Sequence, residues 1–449
     1  MSTAIIGAGP SGLALNLFLE EKAEIFEASD HVGGHASTFA IDGFTFDYGP
    51  HIMFSRDPAI LDFMVASLGR NIHRCTRNNK ISFKNRLIKY PFENDLKSLP
   101  LEDNFDCLYH FLVNPYKERY AEPRNLKEWL LKTFGEGICR HYLFPYNEKV
   151  WNIPVDDLSM LWAERIPNPP VADVVKSALG YSTEGYLHQL HYHYPLAGGY
   201  QAISESWARP GNIRFNMPIT KIRKVGRQFL VSSGSDERLF DRVISTMPIQ
   251  HLVEAVDFEV PSEIRRAVDA LIVNPMYVVS IGLKGEDPNR FTAIYFPEPG
   301  YLVNRVSYPS TFSPKNAPAG HYSLQAEITC RKQSDQWGWS DGKIAEHVVE
   351  GLFSRGLIPR REDIVLSDVR RRDFSYVVYD RDYVSNTALI RSFFESQGIS
   401  LLGRFGYFEY INVDQAVARA LELAAKLNGD ALDSVRLEYL ERGLKQLGL

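Results

Sequence analysis

Cysteine, an excess of one charge and long apolar runs are all scarce in this sequence, and each scarcity excludes a class of protein. No run approaches the ~18 apolar residues of a membrane helix, and a strand begins at Thr3, which leaves no room for a signal peptide. Without a Cys-x-x-Cys pair, neither a disulfide framework nor a zinc site is expected, and a cytoplasmic protein fits. The 4 cysteines are Cys75, Cys107, Cys139 and Cys330.

The charge balance argues against a nucleic-acid partner. The chain has 50 basic and 55 acidic residues, for a formal net charge of -5, whereas such proteins usually present a broad basic face. The one basic run, Arg370 to Arg372, is interpreted as a solvated turn.

What the sequence does contain is enough apolar material for a large core. At about 150 residues per domain, 449 residues correspond to roughly three units, and 45% hydrophobic with 23% charged residues excludes a mainly disordered chain. Aromatic residues reach 12%, with 23 tyrosines and 26 phenylalanines. These rings either fill the core or line a ligand cleft with hydroxyl donors.

The predicted elements alternate in type from the first residues onward. A strand at 3–6, a helix at 13–21 and a strand at 23–27 form a βαβ opening. Residues 48–97 are predicted to be loops, and helices dominate 101–190. The other predicted helices are 126–134, 135–144, 343–353 and 414–427, and the other predicted strands are 213–222, 228–233, 243–247, 277–282, 292–296 and 322–329.

The turn between the first strand and helix carries a dinucleotide-binding pattern. Gly7, Gly9 and Gly12 form a GxGxxG, in which the glycines permit a tight turn, close approach of a pyrophosphate and close helix packing. The helix N-terminus offers free N–H groups to the phosphates. Glu27, 20 positions after Gly7, ends the second strand where a carboxylate can accept from a ribose hydroxyl.

A second glycine pair favours FAD over NAD. Gly33-Gly34-His35 follows the acidic residue and resembles the fingerprint of glutathione-reductase-like and amine-oxidase-like flavoproteins, which usually carry Arg where His35 stands. Gly403-Arg404 resembles the segment that closes over FAD in those families, ahead of a helix from Asp414.

This arrangement predicts an α/β protein with a Rossmann-like FAD-binding domain, an inserted helical domain and a mixed or antiparallel sheet domain. The expected bounds are 1–95, 195–260 and 395–430 for the FAD-binding domain, 96–194 for the helical insertion, 261–394 for a sheet-rich substrate domain and 431–449 for a C-terminal helix.

Segments over most of the chain resemble the UDP-galactopyranose mutases, several of them the eukaryotic-type branch. The resemblance implies a polysaccharide-forming isomerase in which reduced FAD, through N5, attacks the anomeric carbon of a nucleotide-diphosphate sugar without net oxidation, so that pyranose and furanose forms interconvert. The segments are Gly49 to Ser55, Tyr90 to Asn94, Phe134 to Ile138, Phe144 to Trp151, Tyr295 to Glu298 and Gly403 to Asp414.

The same resemblance assigns candidate residues. His51, Arg165 and Arg305 are the catalytic candidates, and the two arginines would bind the diphosphate through their planar guanidinium groups. The substrate-binding candidates are these two arginines with Tyr90, Glu93, Asn147, Trp151, Tyr295 and Tyr410, and the cofactor-binding candidates are Gly7, Gly9, Gly12, Glu27, Gly33, Gly34, His35, Gly403, Arg404 and Asn412. No metal is expected.

Three departures from the family pattern bear on the substrate. Pro50 precedes His51 where the family prefers Gly and stiffens that loop. Arg56 replaces a histidine of the eukaryotic branch, and Glu93 replaces a glutamine near the nucleotide base. A carboxylate there suits guanine's N–H groups or the uracil ring N–H, so UDP-galactose is the default substrate and a GDP-sugar is open.

Two other hypotheses stay open on the sequence alone. One is an FAD-dependent oxidase or desaturase of the protoporphyrinogen-oxidase and amine-oxidase type, which shares both glycine motifs. The other is a flavin-binding subunit or nucleotide sensor without turnover. The electron donor and the oligomeric state, a homo-oligomer included, are also open.

Overall fold

Short strands and helices alternate along the chain in the computed structural model, which describes residues 1–21, 23–183, 190–209 and 211–449. The strands are β1 (Thr3–Ile6), β2 (Ala23–Phe26), β3 (Thr38–Ile41), β4 (Phe44–Asp47), β5 (His73–Thr76), β6 (Asn79–Phe83), β7 (Arg86–Lys89), β8 (His191–Tyr194), β9 (Ile213–Arg214), β10 (Lys221–Val225), β11 (Gln228–Ser233), β12 (Asp236–Phe240), β13 (Arg242–Ser245), β14 (Val273–Lys284), β15 (Ala293–Tyr295), β16 (Arg305–Ser307), β17 (His321–Thr329), β18 (Ile364–Val377) and β19 (Ile399–Leu401). The α-helices are α1 (Pro10–Phe18), α2 (Pro58–Ala66), α3 (Leu101–Leu112), α4 (Tyr116–Arg119), α5 (Leu126–Ile138), α6 (Phe144–Trp151), α7 (Val171–Ala178), α8 (Gln201–Trp207), α9 (Ile249–Ala255), α10 (Ser262–Ala270), α11 (Pro309–Phe312), α12 (Asp341–Ser354), α13 (Tyr383–Ser396), α14 (Val413–Asn428) and α15 (Leu432–Gln446).

A five-stranded parallel sheet, in the order β19-β13-β1-β2-β9, forms the first layer. Its central strand β1 is buried throughout, as expected for a parallel sheet covered on both faces. Helices α1 and α14 pack together beside this sheet. The carboxyl ends of β1 and β13 therefore open toward one crevice, the usual ligand position in such sheets.

A seven-stranded mixed sheet, in the order β18-β14-β17-β16-β15-β6-β7, forms the second large layer. Most of its pairs are antiparallel, and β15 with β6 is the parallel one. Strands β15 and β16 form a hairpin in which Tyr295 faces Arg305 in register.

Helices α3 to α7 form the third part, and a buried lysine joins it to the β15–β16 hairpin. The Lys149 ammonium, on α6, donates to the carbonyls of Phe296 and Tyr301 at 2.7 Å each and to those of Glu298 and Val303. These carbonyls lie in the turn between the two strands, so Lys149 helps to fix the hairpin that carries Tyr295 and Arg305.

The predicted fold class is confirmed: a parallel nucleotide-binding type of sheet, a helical part and a mixed sheet are all present. The domain bounds stay a prediction. Strands β6 and β7 nevertheless pair with the seven-stranded sheet, although they lie within the 1–95 segment assigned to the FAD-binding domain. Among the described residues, no helix is both long and apolar enough to cross a bilayer.

Two sequence interpretations were wrong. Residues 48–97 are not simply loops but contain α2, β5, β6 and β7, whose partner strands β8 and β15 lie far along the chain. The run Arg370 to Arg372 is not a turn but part of β18, paired with Val278 to Met276 of β14. In both cases long-range pairing outweighs local composition.

Other differences concern boundaries. Helix α1 starts at Pro10 and ends at Phe18 rather than covering 13–21. The strand predicted at 213–222 is two strands, β9 and β10. Helix α5 continues to Ile138 through Gly135, whose φ of 73° breaks the regular helix, and a π-helical turn then leads into α6.

Candidate functional site

Two adjoining cavities form one cleft between the parallel sheet, the mixed sheet and the helical part. The first cavity has a volume of about 820 Å³ and is lined by the β1–α1 turn. The second has a volume of about 1200 Å³ and extends toward α13 and α14. The residues that line both cavities are Phe54, Tyr295, Gly403, Ile411 and Asn412.

The glycine turn is shaped for close approach of a ligand. A Cβ atom at Gly12 would lie 2.2 Å from the Gly7 carbonyl oxygen, so only glycine lets α1 start this close to β1. A Cβ atom at Gly34 would lie 3.3 Å from the Gly9 Cα atom, and Gly34 has a φ of 53°. The two glycine motifs are thus in contact, and Gly7, Gly9 and Gly34 line the first cavity.

Glu27 lies in the wall of the first cavity, and its predicted contact with a ribose hydroxyl stays a prediction. Its Oε2 atom accepts from the Ala8 N–H at 2.7 Å and its Oε1 atom from the Ser29 N–H at 2.9 Å. Since a carboxylate offers about four acceptor positions, these bonds orient Glu27 and leave room for a hydroxyl donor.

Two histidines meet beside the glycine turn. The rings of His35 and His51 lie 5.6 Å apart, edge to face, and His51 also contacts the Tyr200 ring at 5.3 Å. Burial, with the Arg404 and Arg305 charges, lowers the pKa of His51 to about 3. Burial, aided by Arg404, also lowers the pKa of His35 well below its ordinary value. Both rings are therefore neutral at physiological pH.

Arg305 enters the cleft from a buried polar network. Its Nη2 atom donates to both oxygens of Glu327, at 2.8 and 2.9 Å, and to the Tyr376 hydroxyl at 3.1 Å. The Tyr376 hydroxyl in turn donates to Glu327 at 2.8 Å. Burial alone would lower the pKa of Arg305, but Glu327, which is 0% exposed, holds it well above the ordinary value.

Arg165 lies on the opposite side, in the wall of the second cavity. Its guanidinium carbon is 4.8 Å from the centre of the Tyr410 ring, and its Nη1 atom donates to the Tyr410 carbonyl. In the part of the chain that the structure describes, Arg165 has no carboxylate within ion-pair distance. Its charge is therefore available to an anionic ligand.

The remaining predicted tyrosines and Arg404 line the walls of the same cleft. Tyr90 packs on Tyr295 with ring centres 5.1 Å apart, and both line the second cavity with Tyr410. Arg404 lines the first cavity, where its Nη2 atom donates to the Ser375 carbonyl at 2.7 Å. Its Nε atom is buried without a hydrogen-bond partner among the described residues.

Several predicted residues lie behind the walls of the two cavities. The Trp151 indole N–H donates to the Asn147 amide oxygen at 3.0 Å, and the Trp151 ring stacks on Trp162 at 3.9 Å. These two residues support the wall from within the core. Glu93 is only 3% exposed. The residues that line neither cavity are Gly12, Gly33, Glu93, Asn147 and Trp151.

Some residues in or behind the cavity walls were not predicted from the sequence. Tyr200 packs on His51 with its ring tilted by 33°, and Asn79 donates to the Tyr295 hydroxyl at 3.3 Å. Glu327 and Tyr376 orient Arg305. Each reaches the site through strand or ring packing between distant segments, so no local motif marks them.

The first cavity fits a dinucleotide. Its floor is a glycine cradle at the N-terminus of α1, an acid that can take a ribose hydroxyl lies beside it, and Arg404 supplies a cation for a negatively charged group. The buried His51 Nδ1 atom also lacks a protein partner within the described residues. No cluster of metal-binding side chains occurs in the described ranges.

Known proteins similar to this chain also point to a flavin cofactor. Residues 21–380 match the family described as flavin-containing amine oxidoreductases. UDP-galactopyranose mutase of Mycoplasma pneumoniae is 21% identical over 444 residues, which cover 94% of this chain and 95% of that protein.

Solved structures extend the likeness to the whole fold. A crystal structure of reduced UDP-galactopyranose mutase has a TM-score of 0.88 at 25% identity and covers 98% of both chains. A putative protoporphyrinogen oxidase from Exiguobacterium has a TM-score of 0.74 at 18% identity, covering 95% of this chain and 98% of the other. The resemblance to the mutases is confirmed in sequence and in fold, and it supports the expectation of an isomerase.

The Arg305–Glu327 pair predicts a large stability loss in Glu327→Gln. The substitution leaves the buried guanidinium without its counter-charge, so we expect the free energy of unfolding to fall by roughly 3 to 5 kcal/mol. Chemical denaturation measures it. Glu346→Gln is the control, since Glu346 pairs with Arg361 at the surface and its loss should cost under about 1 kcal/mol. Equal effects of the two substitutions would contradict the assignment.

The low pKa of His51 predicts a pH dependence of stability. An unfolded chain takes up this proton near pH 6.5, whereas the folded chain does so only near pH 3. Stability contributed by His51 is therefore complete above about pH 6.5 and is lost as the pH falls, at about 1.4 kcal/mol per pH unit. In His51→Gln this part of the slope should vanish from unfolding curves at pH 7, 6 and 5. The same exchange at the exposed His191 should leave it in place, and parallel slopes in all proteins would refute the burial of His51.

Proposed function

The chain belongs to the family of flavin-containing amine oxidoreductases. Within that family, we propose that it interconverts the pyranose and furanose forms of a nucleotide-diphosphate sugar with FAD in its reduced form. The observation that carries this proposal is the convergence of two arginines and two tyrosines on the cleft next to the glycine turn. These are Arg165, Arg305, Tyr295 and Tyr410.

The four side chains suit a diphosphate. Guanidinium groups bind phosphate oxygens through paired N–H donors of fixed direction. Arg305 is held at one end of the cleft by Glu327 and Tyr376, and Arg165 at the other by the Tyr410 ring and carbonyl. The Tyr295 and Tyr410 hydroxyls add donors between them. A diphosphate bound there would be oriented by both arginines and would meet an unpaired charge at Arg165, as a leaving group that must later return requires.

Two neutral histidines lie beside the proposed reacting centre. Reduced FAD, when bound, supplies a nucleophilic nitrogen to the anomeric carbon. His51 and His35 carry no charge at physiological pH, so they can donate or accept a hydrogen bond without competing for the diphosphate. Tyr200 and Phe405 pack against these two rings and help to exclude water.

The proposal names two candidates for the nucleotide base and the sugar. UDP-galactose is the default, from the likeness to the mutases, and a GDP-sugar stays a candidate because of Glu93. Glu93 is buried next to Phe92, which stacks on Tyr142 at 5.2 Å. A base would reach Glu93 only if it entered this aromatic stack.

An oxidase or desaturase is the alternative, favoured by the likeness to a putative protoporphyrinogen oxidase. Such enzymes use oxidised flavin and an apolar substrate channel. The second cavity instead presents arginines, tyrosines and carboxylates, which suits a polar substrate rather than an apolar one. A flavin-binding subunit without turnover would show cofactor but no product.

The test is a product assay on UDP-, GDP- and dTDP-sugars with and without dithionite. We expect furanose product only after reduction. Arg165→Lys loses the planar, two-pronged contact and should lower kcat/KM by roughly 10- to 100-fold, as for a charged hydrogen bond. Tyr410→Phe should raise KM by roughly 3- to 10-fold.

The exposed Arg360 provides the control, since Arg360→Lys alters the same chemistry away from the cleft. Product formed by oxidised protein, or peroxide released from an amine or porphyrinogen, would overturn the mutase proposal. Bound flavin with no turnover on any sugar would favour the binding subunit.

A further inference from the structure

The basic run in β18 places three consecutive arginines on alternating faces of the seven-stranded sheet. Arg371 points outward, where it donates to Asp341 Oδ1 and to the Trp339 carbonyl, both at 3.0 Å. Arg370 and Arg372 point to the other face. Arg370 is paired with Asp368 at 2.8 Å and stacks on Phe39. Two of the three charges thus have a carboxylate partner.

Arg372 has no such partner among the described residues. Its guanidinium carbon lies 3.4 Å from the centre of the Tyr48 ring, and its Nη2 atom donates to the Ser37 hydroxyl at 3.2 Å. Its Nε atom is buried without a hydrogen-bond partner in the described part of the chain. Burial lowers the pKa of Arg372, but an arginine stays charged at any physiological pH. A cation kept away from water without an anion is costly.

The surroundings of Arg372 lead directly to the first cavity. Ser37 follows the turn of Gly34 and His35, which line that cavity, and Gly34 touches the glycine turn at Gly9. The charge of Arg372 is felt at His35, where it adds to the lowering of the pKa by burial and by Arg404. Arg372 is therefore joined to the cavity wall through Ser37, which lies two residues after His35.

Arg404 approaches the same wall and is anchored on the same strand. It donates to the Ser375 carbonyl of β18 at 2.7 Å and to the Ile411 carbonyl at 3.3 Å, and within the described ranges it too lacks a carboxylate partner. Arg305, by contrast, is neutralised by Glu327. The wall near His35 therefore has two guanidinium groups without a carboxylate partner among the described residues, and the carboxylates that line the first cavity are Glu27 and Glu254.

We propose that Arg372 is a charge-compensating residue for the anionic cofactor: together with Arg404 it stabilises negative charge in the first cavity, acting across His35. A flavin dinucleotide offers two such charges, the diphosphate and the reduced, deprotonated ring system. Both call for an electropositive wall. The inference rests on the proposed function only through its cofactor.

The experiment compares holoprotein carrying Arg372→Gln with Arg371→Gln, the adjacent residue on the opposite face. FAD dissociation constants of the oxidised proteins and midpoint potentials of the bound flavin are measured for both and for the unsubstituted protein. If the diphosphate is the anion that Arg372 stabilises, Arg372→Gln should raise the dissociation constant of oxidised FAD about 10-fold, because one charge interaction is lost.

If the reduced ring is the anion, Arg372→Gln should bind reduced FAD about 10-fold more weakly relative to oxidised FAD. That is a fall in midpoint potential of about 30 mV for two electrons. Arg372→Lys keeps the charge, so its FAD affinity and midpoint potential should stay near those of the unsubstituted protein. Arg371→Gln should change neither quantity.

The inference is overturned if Arg372→Gln matches Arg371→Gln in both affinity and potential. Ser37→Ala is the second variant in case Arg372→Gln does not fold, since it removes only the hydroxyl that holds the guanidinium. It should change the FAD affinity or the midpoint potential in the same direction but by less. No change in either quantity overturns the inference. A protein that binds no FAD at all would instead refute the proposed cofactor.

Discussion

A guanidinium group removed from water must meet an anion or several carbonyl oxygens, and this protein places three such groups in the walls of its cleft and a fourth behind them. Glu327 neutralises one of them. The others are held by carbonyls, hydroxyls and aromatic rings and keep their charge. The result is a cleft with several cationic side chains inside a chain whose net charge is -5. The four groups are those of Arg165, Arg305, Arg372 and Arg404.

These arginines come from several parts of the fold. Arg305 comes from a hairpin of the mixed sheet and Arg372 from strand β18 of the same sheet. Arg165 comes from the 3-10 turn Met160–Arg165 between α6 and α7, and Arg404 from the segment that follows β19 in the parallel sheet. The site therefore exists only when three layers are docked. Lys149, which binds four carbonyls of the hairpin turn, and the stacked rings behind Arg165 keep this docking fixed.

The local part of this arrangement could be predicted from the sequence, whereas the long-range part could not. The glycine turn, Glu27 and His35 are close in sequence, and their spacing reports their geometry. Tyr295 and Arg305 could be placed by family resemblance. Glu327 could not, because its role depends on the register between β16 and β17.

The basic run shows the same limit most clearly. Three consecutive arginines resemble a solvated turn by composition, yet they form a strand whose alternation sends Arg371 outward and Arg372 toward the cavity. Asn147 and Trp151 show another limit of local motifs. They belong to a conspicuous motif, but the Trp151 indole donates to Asn147 behind the wall, and Tyr410 and Arg165 line the second cavity instead. Their predicted role in substrate binding stays a prediction.

The proposed reaction requires that the cleft hold a diphosphate whose bond to the anomeric carbon breaks and re-forms. A nucleotide-diphosphate sugar with heavy-isotope oxygen in the bridge between the anomeric carbon and the phosphorus reports on this step. With reduced holoprotein, the label should spread from the bridging to the non-bridging positions of that phosphate, because the freed phosphate can rotate before it returns. A label that stays in the bridge while the flavin is reduced and the sugar is bound would contradict the account.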